Sequence, residues 1–383
     1  MDEIAEIYSD YLIASFGLTT ATGLSKLLDG EISHDKITRF LSSQIKTSKD
    51  LWQIAKPVVR EVERSDACLI LDDSIEEKPY TDENDIICWH FDHSKGVNVK
   101  GLNFLSCLYQ AGDISIPIGF ELVKKTEVYI DPKDNKQKRR SPISKNEMAR
   151  EQIAAAIKNK VKFRFVLFDL WFSSVENMRF ILKHKKHFIC PLKSNRKIAL
   201  SLADKLQGQW HKLENLEVQL NTTRLIYLEG LATPVLLLKQ VFTNENGKTA
   251  VQYLISSDLK LSTEDITTGY KKRWRVEEYH KSLKQNVSLE KSPTQTETTQ
   301  TNHFFAALCG YIKLERLKIK TKENHFALKS KLYLKALMSG FQTLRDSPKS
   351  KKRIFNKLDK LKNVRQVNKL AYYEQPNLFN MFN

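Results

Sequence analysis

The sequence predicts an α/β fold with an inserted β subdomain and helical N- and C-terminal regions, and three observations carry that expectation. Two short apolar runs, Ala67–Leu71 and Phe163–Phe168, have the length of buried strands, and each ends on acid, at Asp72-Asp73 and at Asp169. Ser144 with Glu147 and Ser173 with Glu176 are capping boxes that open helical segments. Downstream of Asp169 come alternating runs at Leu216–Leu220, Thr223–Tyr227, Val235–Phe242 and Ala250–Ser256, too much strand for a single crossover.

Residues 1–60 read as helical. Within them Thr22–Leu41 has the pattern of a helix, a turn at Gly30 and a second helix capped by Ser33. A helix-turn-helix would present His34, Lys36 and Arg39 to a major groove, and a plain helical hairpin fits the same residues. Residues 61–192 form the first part of a core. It starts with the strand ending at Asp72, and a polar segment over residues 74–100 overhangs that acid. Strands follow near Leu102–Tyr109 and Ile114–Glu121, then a basic loop at Lys133–Arg140, a helix to Lys158, the strand ending at Asp169, a helix to about His184 and a strand at Phe188–Leu192. Residues 193–262 are the inserted β-rich subdomain, residues 263–320 the second part of the core, and residues 321–383 a basic helical tail.

The segment Tyr270–Lys284 is the most informative. At about 100° per residue from Tyr270, Arg273 falls near 300°, Lys284 near 320°, Glu277 near 340°, Lys281 near 20° and Trp274 near 40°. Val276, Tyr279 and Leu283 fall on a separate apolar stripe suited to docking on a core. Glu278 lies about 100° from Glu277 and off the basic face, so Glu277 is the chemically placed acid. Without further context, an ordinary solvated amphipathic helix explains the same pattern.

Tyr270, Arg273, Glu277 and Lys284 match the Y-(2)-R-(3)-E-(6)-K signature, and by it the chain resembles the insertion-sequence-four family of bacterial DDE transposases. The resemblance implies an RNase H-like catalytic core with two further acids on strands, and Asp72 and Asp169 stand where those acids are required. Asp73 is the alternative to Asp72, because both faces of the first strand are apolar and alternation cannot choose. Asp72 is preferred: family members show Asp, one variable residue, then Thr or Ser, and Asp72-Asp73-Ser74 fits. Asp72, Asp169 and Glu277 would then ligate two Mg²⁺ ions, or Mn²⁺ in their place, as all-oxygen ligation favours. Tyr270, Arg273, Lys284, Lys281 and Trp274 would hold phosphates. The family also implies an N-terminal end-recognition domain, excision through a hairpin, end pairing by a homodimer, and an aromatic in the insertion that stacks on a flipped base. Trp210 is the one tryptophan there, though core packing is the commoner fate of such a residue.

Charge agrees with a double-stranded DNA partner. The chain has 62 Lys+Arg against 45 Asp+Glu, a net +17, and residues 301–383 carry 18 of the cations and 5 of the acids. Five widely spaced cysteines read as buried reduced thiols. Cys88, His90 and His93 lack the paired-cysteine partner that a structural zinc site needs. There is no secretion-signal pattern and no membrane-length apolar run, so a cytoplasmic protein is expected. Two other functions fit the same acids: a nuclease of this fold that cuts without joining, and an inactive DNA-binding regulator.

Overall fold

The computed structural model describes residues 3–346 apart from 93, 94, 133, 244–246 and 248. Four helices lead: α1 (Glu3–Ala14), α2 (Ala21–Leu27), α3 (His34–Leu41) and α4 (Ser48–Val62). Six strands follow, β1 (Cys68–Glu77), β2 (Ile87–Asp92), β3 (Val97–Ala111), β4 (Ile114–Leu122), β5 (Glu127–Ile130) and β6 (Gln137–Arg140). Next come α5 (Lys145–Lys158), β7 (Phe165–Phe168), α6 (Val175–Lys183), β8 (His187–Pro191), β9 (Lys197–Ala199), α7 (Leu202–Leu206) and β10 (His211–Lys212). The chain continues through β11 (Thr223–Leu228), β12 (Val235–Thr243), β13 (Thr249–Ser256), α8 (Thr263–Lys271), α9 (Arg275–Asn286), α10 (Glu297–Thr321) and α11 (His325–Asp346).

The central strands run β4-β3-β1-β7-β8. The β4-β3 and β3-β1 pairs are antiparallel, and the β1-β7 and β7-β8 pairs are parallel. This is an RNase H-like core. Its interior is the apolar residues of β1, β3, β7 and β8 together with α10, whose residues 300–312 are buried on all sides. A helix buried all round needs apolar and small residues on every face, and the run Phe304-Phe305-Ala306-Ala307-Leu308 supplies them. Tyr8 of α1 ties to α10 by a hydroxyl–imidazole hydrogen bond to His303 at 3.0 Å.

Several expectations change. The inserted strands build no sheet of their own: β13 pairs antiparallel with β8, β12 with β13 and β11 with β12, so they extend the core sheet to eleven strands. Antiparallel hairpin partners can add to an open edge, and β8 offers one. Leu216–Leu220 forms no strand; only Leu220 makes an isolated bridge, to Lys239. The polar segment after the first acid is largely strand: β1 runs on through the acids to Glu77 and pairs with the first half of β3, whose other side takes β2. Gln137–Arg140, expected in a loop, instead pairs with Glu127–Ile130 as the β5-β6 hairpin. The cap of α6 is Ser174 rather than Ser173: its side chain accepts from the Asn177 amide, while Ser173 donates to the Pro191 carbonyl. The capping boxes at Ser144/Glu147 and at Ser262/Asp265 form as their spacing requires.

Gly101 of β3 is wedged between β1 and β2, opposite Glu77 and Cys88. A Cβ there would lie 2.2 Å from the Glu76 carbonyl oxygen, and backbone in a ladder cannot give way. Gly101→Ala is therefore expected to cost about 2–3 kcal/mol, read as a lowered urea midpoint. An unchanged midpoint would mean that β1 and β3 are not locked in this register.

Residues from Ala327 on form a second compact unit, described by itself. Its part of α11 exposes Leu334, Leu337, Met338, Phe341 and Leu344. Most of the basic tail, residues 347–383, lies outside the described residues, as does His93. No helix among the described residues is long and apolar enough to cross a membrane.

Candidate active site

Register brings the strand acids together. In the parallel β1-β7 pair Leu71 is level with Phe168, so the next residue on each strand, Asp72 and Asp169, leaves the ladder at the same carboxyl edge. Pleating then separates Asp72 from Asp73. Asp72 lies opposite Ser106 of β3, whose hydroxyl meets the Tyr279 hydroxyl of α9 at 3.2 Å, so Asp72 shares the face covered by α9. Asp73 takes the other side, where it accepts from Asn103 at 2.9 Å and pairs with Lys145 of α5 at 2.8 Å.

Tyr279, Val276 and Leu283 are fully buried and seat α9 on the sheet. That docking points Glu277, His280 and Lys284 into a cavity of about 540 Å³, also lined by Asp72, Asp73, Asp169, Arg273, Lys145 and Trp171. One donor atom each of Asp72, Glu277 and His280 lies within 4.8 Å of the other two. Arg273 reaches two of these acids, its guanidinium 3.7 Å from Asp72 and 3.4 Å from Glu277. The Asp169 Oδ1 accepts the amides of Trp171 at 2.9 Å and Phe172 at 3.3 Å, which fixes the carboxylate where the strand ends.

Burial pushes the Asp72 carboxyl well above its ordinary value. The Asp169 charge adds to that rise, Arg273 opposes it, and Asp73 and Glu277 add further. Asp169 is also raised, first by burial, with the Phe172 and Trp171 amides opposing. Burial likewise drives His280 down to about 3, so its ring is neutral. Carboxylates gathered out of water against their own repulsion, beside a buried imidazole Nε2 with no hydrogen-bond partner among the described residues, are a donor set that suits a divalent cation.

The segment from Tyr270 to Lys284 is not one helix. Lys272–Trp274 is a 3₁₀ turn between α8 and α9, and its tighter winding breaks the uniform 100° step. Within α9 itself, the docking of Val276, Tyr279 and Leu283 turns the side holding Glu277, His280 and Lys284 to the cavity, not the side holding Lys281. Lys281 instead lines a different cavity of about 660 Å³ with Arg64, Arg275 and Tyr311, its ammonium 5.3 Å from the Phe326 ring. Trp274 is 65 % exposed and lines neither cavity. Tyr270 sits behind Arg273, its ring 6.0 Å from the guanidinium, and Lys284 pairs with Glu290 at 2.8 Å. Trp210 is half-buried in the loop before β10 and does not line the acidic cavity. His34, Lys36 and Arg39 are exposed together on α3, which Ser33 caps through the Lys36 amide. Sequence reasoning gave no role to Lys145, Trp171 or His280. Trp171 is 52 % exposed with the Lys193 ammonium 5.2 Å over its ring, and its place two residues after Asp169 was the available signal.

An RNase H-like sheet with carboxylates from two adjacent parallel strands and a helix at one edge defines a class of nuclease-type enzymes. The family model "DDE superfamily endonuclease" matches residues 2–208, and "Transposase DDE domain" matches residues 142–313. The chain belongs to the DDE superfamily endonucleases, and its transposase-type match spans both Asp169 and Glu277. No curated protein matches it. Among solved structures it is similar to endonuclease V from Bacillus subtilis at 10% identity, over 58% of this chain and 81% of that one, with a TM-score of 0.25. That likeness is too slight to bear on fold or function.

Proposed function

We propose that the protein is a DNA transposase of the insertion-sequence-four type, cleaving at transposon ends and joining the freed ends to target DNA. The convergence of Asp72, Asp169 and Glu277 on one cavity carries this reading. Two Mg²⁺ ions bound by the three carboxylates would supply Lewis-acid stabilisation of the attacking and leaving oxygens. The remaining residues hold substrate. Arg273, positioned by the Tyr270 ring, and Lys284 present cations at the cavity for the phosphates on either side of the scissile bond. Trp171 offers an aromatic face at the cavity rim on which an unstacked base can lie. It takes over the stacking role first expected of Trp210. The exposed cations of α3 and the basic C-terminal region would grip the flanking duplex, with a homodimer pairing two ends and a hairpin as the excision intermediate.

The endonuclease family match favours one second reading, cutting without joining. Cognate ends supplied pre-nicked, with a supercoiled target plasmid and Mg²⁺, separate the two. Ends covalently joined to the plasmid are expected. Hydrolysis with no joined product would leave an endonuclease in place of a transposase.

A further inference from the structure

We propose that His280 is a nitrogen ligand of the divalent-cation site, completing it with Asp72 and Glu277 and tilting its preference toward Mn²⁺ over Mg²⁺. The proposal rests on reading the acidic cavity as a metal site. His280 is 8 % exposed, and its Nε2 is fully buried with no hydrogen-bond partner among the described residues. An orphaned buried nitrogen costs the whole of its lost hydration, roughly 1–3 kcal/mol, unless something fills the gap. The ring is held by its neighbours: Phe104 packs against it nearly perpendicular with centroids 5.6 Å apart, and Tyr279 packs at 5.2 Å. A ring fixed in this way has its lone pair aimed in advance.

Spacing supports ligation rather than coincidence. Glu277 and His280 stand three residues apart on α9, so both project from one face, the Glu-x-x-His arrangement with which helices hold metal ions between carboxylates. Two ligands of one ion lie at most about twice a ligand distance of roughly 2.2 Å apart. The 4.8 Å limit within which the Asp72, Glu277 and His280 donor atoms fall needs only a few tenths of an ångström of closure. Mg²⁺ is poorly served by nitrogen, whereas Mn²⁺ accepts it and stands above Mg²⁺ in affinity for mixed nitrogen–oxygen sites. Asp169 lines the same cavity outside this close group of three, so the helix-borne pair is the distinctive part of the ligand set.

Pulsed electron paramagnetic resonance of Mn²⁺ bound to the full-length protein, without DNA, tests this directly. Electron spin-echo modulation from a directly coordinated ¹⁴N is expected, shifting to the ¹⁵N pattern when histidine is ¹⁵N-labelled. In His280→Gln that modulation should vanish, Mn²⁺ should bind roughly tenfold more weakly or worse, and Mg²⁺ affinity by competition should change less than about threefold. The wild-type spectrum alone is decisive if the variant does not fold. Mn²⁺ bound without nitrogen coupling, or coupling that survives in His280→Gln, would overturn the role of His280 and leave the acidic site standing. Failure of the wild-type protein to bind Mn²⁺ above the level of Glu277→Gln would overturn both.

Discussion

Glu277→Gln is expected to abolish divalent-dependent cleavage of cognate ends, by a factor on the order of 10³ or more, while the affinity for uncleaved DNA stays within about threefold. The two parts of that outcome follow from separate structures. Glu277 contributes a carboxylate oxygen within 4.8 Å of the Asp72 and His280 donor atoms, and an amide keeps the shape while losing the charge that draws a cation in. The exposed cations of α3 and the C-terminal region are untouched, so the electrostatic part of DNA binding persists. Gel-shift and cleavage assays on one preparation read both. Full cleavage by Glu277→Gln would remove this residue from the site. Loss of DNA binding together with cleavage would mean that the substitution had disturbed the docking of α9.

The two neighbouring aspartates should behave oppositely. Asp72→Asn is expected to lose cleavage by a similar factor, whereas Asp73→Asn should retain it, because Asp73 is engaged by Lys145 and Asn103 on the other side of β1. The stability effect runs the opposite way to activity. A buried carboxyl whose folded value is raised binds its proton more tightly in the native chain than in the unfolded one. Its stabilising contribution is complete below the unfolded value, near 3.8, and is lost as pH rises through the folded value. At neutral pH without divalent ions, Asp72→Asn should therefore melt above the wild type, by about 2 °C, and its midpoint should fall less steeply between about pH 4 and about pH 7 than that of the wild type. Added Mn²⁺ should raise the wild-type midpoint and leave the variant's unchanged. Scanning calorimetry with and without the ion checks this. If Asp73→Asn proves inactive and Asp72→Asn active, the strand's facing is inverted.

How far the sequence could be read depended on which interaction settled each feature. Strand runs such as Val166–Phe168, and the capping box of Ser144 with Glu147, are local, and they appear where their residues place them. The choice between Asp72 and Asp73 was not local: both faces of β1 are apolar, and the pairing of Asp73 with Lys145, 72 residues away, is what distinguishes them. Lys281 was misplaced because a helical wheel gives angles but not the line of sight to the cavity. That line is set by the packing of Tyr279 against β3. Edge pairing between β8 and β13 was equally hidden, since alternation in residues 193–262 says that strands exist but not which edge they join. His280 lay inside the most informative segment, yet nothing in its spacing revealed that its nitrogen would be buried without a hydrogen-bond partner among the described residues.

The sheet's extension from β8 out to β10 and back through β11, β12 and β13 also orders events during synthesis. Asp72 and Asp169 can come level once β1 and β7 have left the ribosome, but Glu277 reaches them only after the outer strands have formed and β13 has returned the chain beside β8. Non-local pairing of that kind closes slowly and late. On the proposed function, a nascent or prematurely terminated chain would lack the third carboxylate, and an unfinished product would be chemically silent toward DNA.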